Sequence, residues 1–175
     1  MDKLDIFNKA LAVFNIAPIG EDEIQDSRNP DIAVLNLHLG TAIRKASREF
    51  DWSFLVSELS LSEDMGPHGG YQCSYKLPDN LFRLTSADGL RYRRVNNWLL
   101  TDGKGIAYGI LDNYEEWKAP EDFWELVAYN LAIFASAKLS PGDDKVKMAV
   151  AMHDSILATM IQNECQGESS ELMGD

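Results

Sequence analysis

The chain has few cysteines and histidines, and its basic residues are outnumbered by acidic ones. Its 175 residues include two cysteines and three histidines. Cys73 and Cys165 lie far apart in the sequence, and nothing in their spacing indicates a disulfide framework or a zinc site. Lysine and arginine total 16 against 28 aspartates and glutamates, a net charge of −12. Duplex-binding proteins normally carry the opposite sign, because phosphate contacts need cations. No apolar run approaches the ~18 residues that cross a bilayer, so we expect no membrane segment.

The common catalytic and cofactor motifs are also missing. The sequence contains no glycine-rich phosphate loop followed by Lys-Ser/Thr, no GxSxG, no HExxH and no paired CxxC. The best local donor cluster is His68 with Glu63 and Asp64, but a glycine-flanked loop is a poor cage for a metal. We interpret His153 as a buried or half-buried helix residue with one hydrogen bond. We therefore expect no enzyme, no cofactor and no metal site.

Apolar residues at helical spacing predict four main helices, two at each end of the chain. The first stripe runs from Leu4 to Phe14. Asn29-Pro30-Asp31 is a strong start for the second helix, because it combines a capping amide, a first-turn proline and an acid at the positive end of the dipole. Pro120-Glu121-Asp122 opens the third helix in the same way, and Ser140-Pro141 precedes the fourth.

The fourth helix carries more apolar surface than one packed face needs. One stripe is formed by Val146, Ala149, His153, Ile156 and Met160. This stripe is widened by Val150, Leu157 and Ile161, which we expect to contact a neighbouring subunit or another protein. From Gln166 onward the polar, unpatterned sequence predicts a flexible tail, residues 166–175. We expect the tail to become ordered in an assembly through Leu172 and Met173.

Residues 53–118, between the two helical pairs, consist of short β-prone runs separated by turns. The predicted strands are Ser53–Leu61, Gln72–Leu77, Phe82–Thr85, Leu90–Val95, Trp98–Thr101 and Ile106–Leu111. Asn96-Asn97 is a two-residue hairpin turn, since asparagine tolerates positive φ. The composition of residues 65–70 predicts a flexible glycine-rich loop.

These elements predict an α+β fold in which a helical bundle of four main helices holds an inserted small antiparallel β-module. The N-terminal helical pair is 1–52, the β-module is 53–118, and the C-terminal pair that completes the bundle is 119–165. Interrupting one helical body with a module of different chemistry suits a protein that joins two others.

The basic cluster Arg91, Arg93 and Arg94 has two interpretations. It is either a solvated strand face paired with nearby carboxylates, or a contact surface for phosphates or an acidic partner. On a strand, Arg91 and Arg93 share one face and Arg94 lies on the other. Acidity concentrates elsewhere, because residues 119–175 hold three basic and ten acidic residues, a net of −7. This distribution disfavours tight DNA binding.

Five segments in order carry a resemblance to one family. They are Asn8–Leu11 through Ile16–Ile19; Trp52-Ser53-Phe54; Tyr75, Leu77, Pro78, Asn80 and Arg83; Trp98–Asp102; and Tyr114–Trp117 leading into Pro120–Phe123. Together they resemble the tail tubular protein A family, the head–tail adaptors of short-tailed phages. The resemblance covers about residues 1–165, while the loops at 21–26 and 65–70 depart from the family pattern.

The resemblance implies a virion structural protein that is assembled in the host cytoplasm and located in the neck of the particle. It would form a homo-oligomeric ring of about twelve copies beneath the portal protein and carry the tail nozzle protein. DNA would pass through the bore without sequence-specific binding. We then expect the nozzle to contact Arg91, Arg93 and Arg94, and a subunit or the portal to contact Val150, Leu157, Ile161, Leu172 and Met173.

Two alternatives of other classes stay open. One is a small ligand-binding or enzymatic domain with a site under the β-module, which a closed pocket of titratable groups would favour. The other is a non-viral oligomeric scaffold protein.

Overall fold

A computed structural model describes residues 1–26, 28–114, 117–139 and 142–171, without the side chains of 62–64 and 166–171. The described helices are α1 Lys3–Val13, α2 Pro30–Glu49, α3 Glu121–Leu139 and α4 Asp143–Glu171. The strands are β1 Ser57–Glu58, β2 Ser62–Asp64, β3 Cys73–Lys76, β4 Leu81–Ala87, β5 Tyr92–Val95, β6 Trp98–Thr101 and β7 Ala107–Leu111. The predicted α+β fold with four main helices and a small antiparallel β-module is confirmed.

The chain divides into two compact units. The helical unit comprises Met1–Asp51 together with the chain from Ala119 onward, and the β-unit comprises Trp52–Lys118. Each described helix is either too short or too polar to span a bilayer.

The helices begin where local capping chemistry allows. Asp2 caps α1 by accepting from the Asp5 backbone N–H at 2.9 Å, and the Asp5 side chain accepts in return from the Asp2 N–H. Asn29 Oδ1 accepts from the Asp31 N–H at 3.0 Å, with Pro30 at the first helical position. The sequence start signal for α2 is therefore confirmed.

Helix α3 is the centre of the helical unit. It packs against α1, α2 and α4, and a helix in that position must be apolar on nearly all sides. Its buried residues accordingly circle the axis: Phe123, Leu126, Val127, Ala128, Asn130, Leu131, Ala132 and Ala135. The alanines permit close approach of the neighbouring helices, and Asn130 is the one amide side chain in this buried set.

Two antiparallel sheets form the β-unit. The three-stranded sheet has the order β1-β7-β4 and the four-stranded sheet the order β2-β3-β6-β5. Both contribute to one buried cluster: Leu59, Cys73, Tyr75, Leu77, Ala87, Leu99 and Ala107. The predicted turn at Asn96-Asn97 joins β5 to β6, with Asn96 at φ 53°, as the hairpin required.

Several segments differ from the sequence predictions, among them β2, Ser62–Asp64, where no strand was predicted. The predicted strand 53–61 contains a 3₁₀ turn at Ser53–Leu55 and only the two-residue strand β1. Helix α4 continues to Glu171, through six residues of the predicted flexible tail. Helix propagation adds one hydrogen bond for each residue ordered, so an established helix extends into polar sequence without an apolar stripe.

Gly109 lies in β7, the central strand of the three-stranded sheet, opposite Ser57 and Leu84. A Cβ at this position would lie 2.6 Å from the Arg83 carbonyl oxygen and 2.8 Å from Leu81 Cδ1. The carbonyl is backbone and cannot rotate away, so only glycine allows the strands to approach this closely.

We predict that Gly109→Ala lowers the free energy of unfolding of the β-unit by about 1–3 kcal/mol. Gly103→Ala is the matched control, because its Cβ would meet Leu90 Cδ2 at an ordinary 3.8 Å, and it should stay within about 0.5 kcal/mol of the parent. Amide hydrogen exchange in β4 and β7 measures the difference. Equal protection in the two variants would contradict the steric argument.

Candidate functional site

Arg91 is a paired residue immediately before β5. Its Nε and Nη2 donate to Asp102 Oδ2 and Oδ1 at 2.7 and 3.2 Å, and its guanidinium lies 5.0 Å from the centre of the Tyr71 ring. The hydrogen bond to the Asp102 carboxylate raises the pKa of Arg91. An exposed ion pair of this kind adds little stability. Because Arg91 is already paired with Asp102, it is less available to a carboxylate of a partner protein.

The other two arginines of the cluster differ from each other. Arg94 Nε donates to the Asn96 carbonyl at 3.1 Å, within its own turn. Arg93 is exposed on β5, and in the described part of the chain its side chain has neither a hydrogen bond nor an ion pair. Of the three predicted contact residues, Arg93 is therefore the cation most available to a partner.

Strand register decides which residues surround Arg93. Residues directly opposite each other in an antiparallel pair share a face of the sheet. Arg93 lies opposite Leu100, and Val95 lies opposite Trp98, so these four side chains share one face. Leu99 points to the opposite face and is fully buried in the core cluster. The face with Arg93 is the outer face of the four-stranded sheet.

An apolar groove of about 250 Å³ lies on this outer face. We call it the loop–sheet groove; its lining is Met65, Pro67, His68, Ser74, Val95, Trp98 and Leu100. Leu100 is buried at its floor, whereas Met65 and Val95 are 66% and 39% exposed. The groove thus places exposed apolar surface beside a cation that lacks a counter-charge among the described residues.

Hydrogen bonds hold the loop over the groove. The Met65 N–H donates to the Ser74 carbonyl at 2.9 Å, and Ser74 Oγ donates to the Gly66 carbonyl at 2.8 Å. His68 and Tyr71 exchange two backbone bonds of 3.0 and 3.1 Å. Composition predicted a flexible loop, but in the structure these bonds tie it to β3 and close it as a small hairpin. Its wall of the groove is therefore preformed.

The predicted donor cluster of His68, Glu63 and Asp64 lies only partly within the described side chains. Across the side chains that the structure describes, no three His, Cys, Asp or Glu residues are grouped as ligands. His68 lies in the wall of the groove, and the side chains of Glu63 and Asp64 fall outside the described ones.

Sequence reasoning found the arginines but missed the groove walls, Val95, Trp98 and Leu100. A usable signal was present in Trp98-Leu99-Leu100, which is apolar on both faces of a short strand. Antiparallel strands with one solvated face normally alternate, so such a run indicates that the second face also meets something apolar.

Helix α4 has apolar residues on both sides of its buried stripe. Ala149, His153 and Met160 are buried, as expected for the packed face. On one side lie Val150, which is 39% exposed, and the half-buried Leu157 and Ile161. On the other side lie Met148 and Met152, which are 52% and 43% exposed. We call these sets the valine flank and the methionine flank; Leu172 and Met173 lie outside the described residues.

A buried ionic cluster joins three helices inside the helical unit. His153 Nε2 lies 3.0 and 3.1 Å from the two carboxylate oxygens of Glu49, and His153 Nδ1 lies 2.9 Å from Asp154 Oδ1. Glu49 also accepts from Lys45 Nζ, and more distantly from Asn130 Nδ2 at 3.4 Å. The His153 and Glu49 side chains are only 6% and 13% exposed. His153 therefore has two acidic partners, where the sequence predicted one hydrogen bond.

This geometry favours the charged forms of both groups. Each ring nitrogen of His153 faces a carboxylate, so both should donate, which only the imidazolium can do. The hydrogen bond to Glu49 raises the pKa of His153 more than burial lowers it. Burial alone would raise the pKa of Glu49, but hydrogen bonds from His153 and Lys45 outweigh it, and the pKa of Glu49 is lowered. The geometry therefore favours an ion pair that links α2 to α4.

Compared with models of protein families and with curated proteins, the chain matches none.

The cluster predicts an optimum in the pH dependence of stability. The raised pKa of His153 contributes stability below its unfolded pKa of about 6.5, and this contribution is lost as pH rises through the folded pKa. The lowered pKa of Glu49 contributes above about 4.3 and is lost as pH falls through its folded pKa. The helical unit should therefore be most stable between about pH 4.5 and 6.5.

We predict that His153→Gln costs about 1–3 kcal/mol of unfolding free energy near pH 6 and removes the decline in stability expected of the parent above about pH 6.5. Urea unfolding followed by far-ultraviolet circular dichroism over a pH series measures both. His68→Gln, in the exposed loop of the β-unit, is the control and should keep the parental profile. An unchanged alkaline decline in His153→Gln would refute the role of the pair.

Proposed function

We propose that the protein is a non-enzymatic virion subunit, a ring-forming head–tail adaptor located between a portal protein and a tail nozzle protein. DNA would pass through the bore of the ring. The observation that carries this proposal is the pair of apolar flanks on α4, which together with the resemblance to the tail tubular protein A family supports assembly through this helix.

Two different flanks on one helix suit a closed ring. In a head-to-tail contact, one surface of a subunit binds a different surface of the next copy, and a suitable rotation closes the chain of contacts into a ring. The valine flank and the methionine flank lie on opposite sides of the α4 stripe, so each copy could offer one to each neighbour. A single flank would instead favour a two-fold dimer, where the same patch faces itself.

The two units support a division of partners. The helical unit carries the flanks and the acidic C-terminal third, and we assign to it the contacts with neighbouring subunits and the portal. The β-unit carries the loop–sheet groove and Arg93, and we assign to it the nozzle contact. Arginine binds carboxylates with defined geometry, which suits a specific protein–protein junction.

Charge supports passage of DNA without retention. More than half of the net charge of −12 lies in residues 119–175, which include ten acidic residues and three basic ones. Affinity for the DNA backbone rises with the number of phosphates neutralised by lysine and arginine. An acidic or neutral bore would therefore let the duplex slide.

The groove gives less support to a small-molecule function. Its volume of about 250 Å³ is below the roughly 300–1,000 Å³ that typical ligand pockets occupy. Its lining is mainly apolar, and His68 is the one ionisable group among the described side chains that line it, whereas an active site would concentrate several such groups.

We predict that Val150→Asp and Met152→Asp each abolish ring formation, because each places a charge on one apolar flank. The parent protein should give the native mass of a ring of about twelve copies in light scattering and ring images in negative stain. An equimolar mixture of the two variants should give dimers and no rings, since each variant keeps one intact flank.

Ala158→Asp is the matched control. Ala158 is exposed on α4, directly opposite the buried stripe, so the same charge there should leave the ring intact. Circular dichroism checks that all variants stay helical. A parent that remains monomeric at every concentration would count against the proposal, and rings formed by both flank variants would show that α4 is not the contact.

A further inference from the structure

We propose that the free edge of β5 binds an extended segment of a partner protein as an added strand. A bulky apolar side chain of that segment would enter the loop–sheet groove, and a carboxylate two residues away would bind Arg93. This inference rests on the proposed function only for the source of the segment, the nozzle protein; the recognition chemistry stands on the β-unit alone.

The backbone of β5 is ready for a further strand. β5 is the last strand of its sheet and pairs only with β6 among the described strands. The Asp102 N–H donates to the Arg91 carbonyl, and in an antiparallel ladder the residues that bond to a given neighbour alternate. Arg91, Arg93 and Val95 therefore bond toward β6. The peptide groups of Tyr92 and Arg94 point to the open edge, where an extended peptide can pair with them.

The register of β5 also fixes which face of the sheet each side chain of an added strand would occupy. Adjacent strands lie about 5 Å apart, and directly opposite residues share a face. A residue of the added strand opposite Val95 would stand beside the apolar groove. The residue two positions along the added strand would stand opposite Arg93 on the same outer face. The predicted recognition pattern is therefore one bulky apolar and one acidic residue with a single residue between them.

Charge favours an acidic occupant. Arg91 is already paired with Asp102 and Arg94 bonds within its own turn, so Arg93 is the cation of the cluster left to pair with a carboxylate. Arginine and carboxylate form a charge-assisted bond of defined geometry, which would fix the register of the incoming strand.

A second copy of this chain is a poorer occupant of the same edge. Pairing of β5 with β5 would bring Arg93 and Arg94 of one copy against the same arginines of the other. Like charges directly opposite each other destabilise a sheet. Exposed edge strands often use charge in this way to avoid self-association, while an acidic segment would turn the same charge into attraction.

Panning of a random peptide library against the purified protein tests the inference, because the library samples apolar and acidic residues at every spacing. We expect selected peptides to share an apolar residue and an acidic residue at alternate positions. Arg93→Glu should weaken their binding by about tenfold or more and should itself select peptides with a basic residue at the acidic position.

Arg94→Pro and Arg94→Ala form the decisive pair of variants. Both remove the arginine side chain, but only proline also removes the N–H that faces the open edge, where proline is tolerated. Binding of the selected peptides should fall by about tenfold in Arg94→Pro and stay near the parental level in Arg94→Ala. Amide exchange across β5 and β6 verifies that the hairpin is intact.

A second measurement covers the case in which Arg94→Pro does not fold. Selected peptides are resynthesised with one backbone nitrogen methylated at each position in turn, and alternate positions should lose binding while those between them keep it.

Equal binding by all methylated peptides, or selection of no peptide, overturns the inference. Association of the parent with itself that Arg94→Pro abolishes, with no peptide selected, would assign the edge to a second copy. A failed peptide test would leave the ring experiments with α4 unaffected.

Discussion

The helical unit depends on one carboxylate. Glu49, in the last turn of α2, accepts hydrogen bonds from Lys45 on its own helix, Asn130 on α3 and His153 on α4. Asn130 and His153 lie 81 and 104 residues farther along the chain. The β-unit begins at Trp52, so the ion pair lies close to the point at which the chain leaves the helical unit. It joins the two helical pairs that the β-unit separates.

A buried ion pair adds little net stability in many proteins, but it is costly to break. The attraction between the two charges must offset the cost of removing both from water. When one partner is lost, the other charge stays buried, and nothing offsets its desolvation cost. Any arrangement of α2 against α3 and α4 that separates Glu49 from His153 is therefore strongly disfavoured. In the resulting packing, only one stripe of α4, which includes Ala149, His153 and Met160, is buried in the core. Its valine and methionine flanks stay available for contacts outside the subunit.

The β-unit is stabilised in a different way from the helical unit. Its strands are short, so its stability depends on close approach, as at Gly109, and on a core shared by two sheets. That core uses one face of β3 and β6, which leaves the outer face to the tied loop and the groove. The free edge of β5, the groove and Arg93 meet at the same place. Backbone pairing, apolar burial and charge can therefore act together on one extended partner.

Local chemistry made much of the fold predictable. The four helices follow from apolar spacing and from start signals such as Asn29-Pro30-Asp31, whose effects act within one turn. The hairpin at Asn96-Asn97 follows from the tolerance of asparagine for positive φ. These signals do not depend on distant residues. They also located the arginine cluster and the extra apolar positions of α4.

Long-range pairing decided what the sequence left open. Nothing within a few residues of Glu49 or His153 indicates that they meet. The three arginines are equivalent as residue types, and only the register of β5 on β6, with Asp102 beside Arg91, leaves Arg93 available. The groove likewise exists because Leu99 packs into the core, whereas Trp98 and Leu100 lie on the other face of the strand and line the groove. Propensity and capping are properties of neighbouring residues, so the sequence alone determined most of the elements. Contacts between residues far apart depend on how those elements pack, so only the tertiary structure decided the ion pair, the availability of Arg93 and the groove.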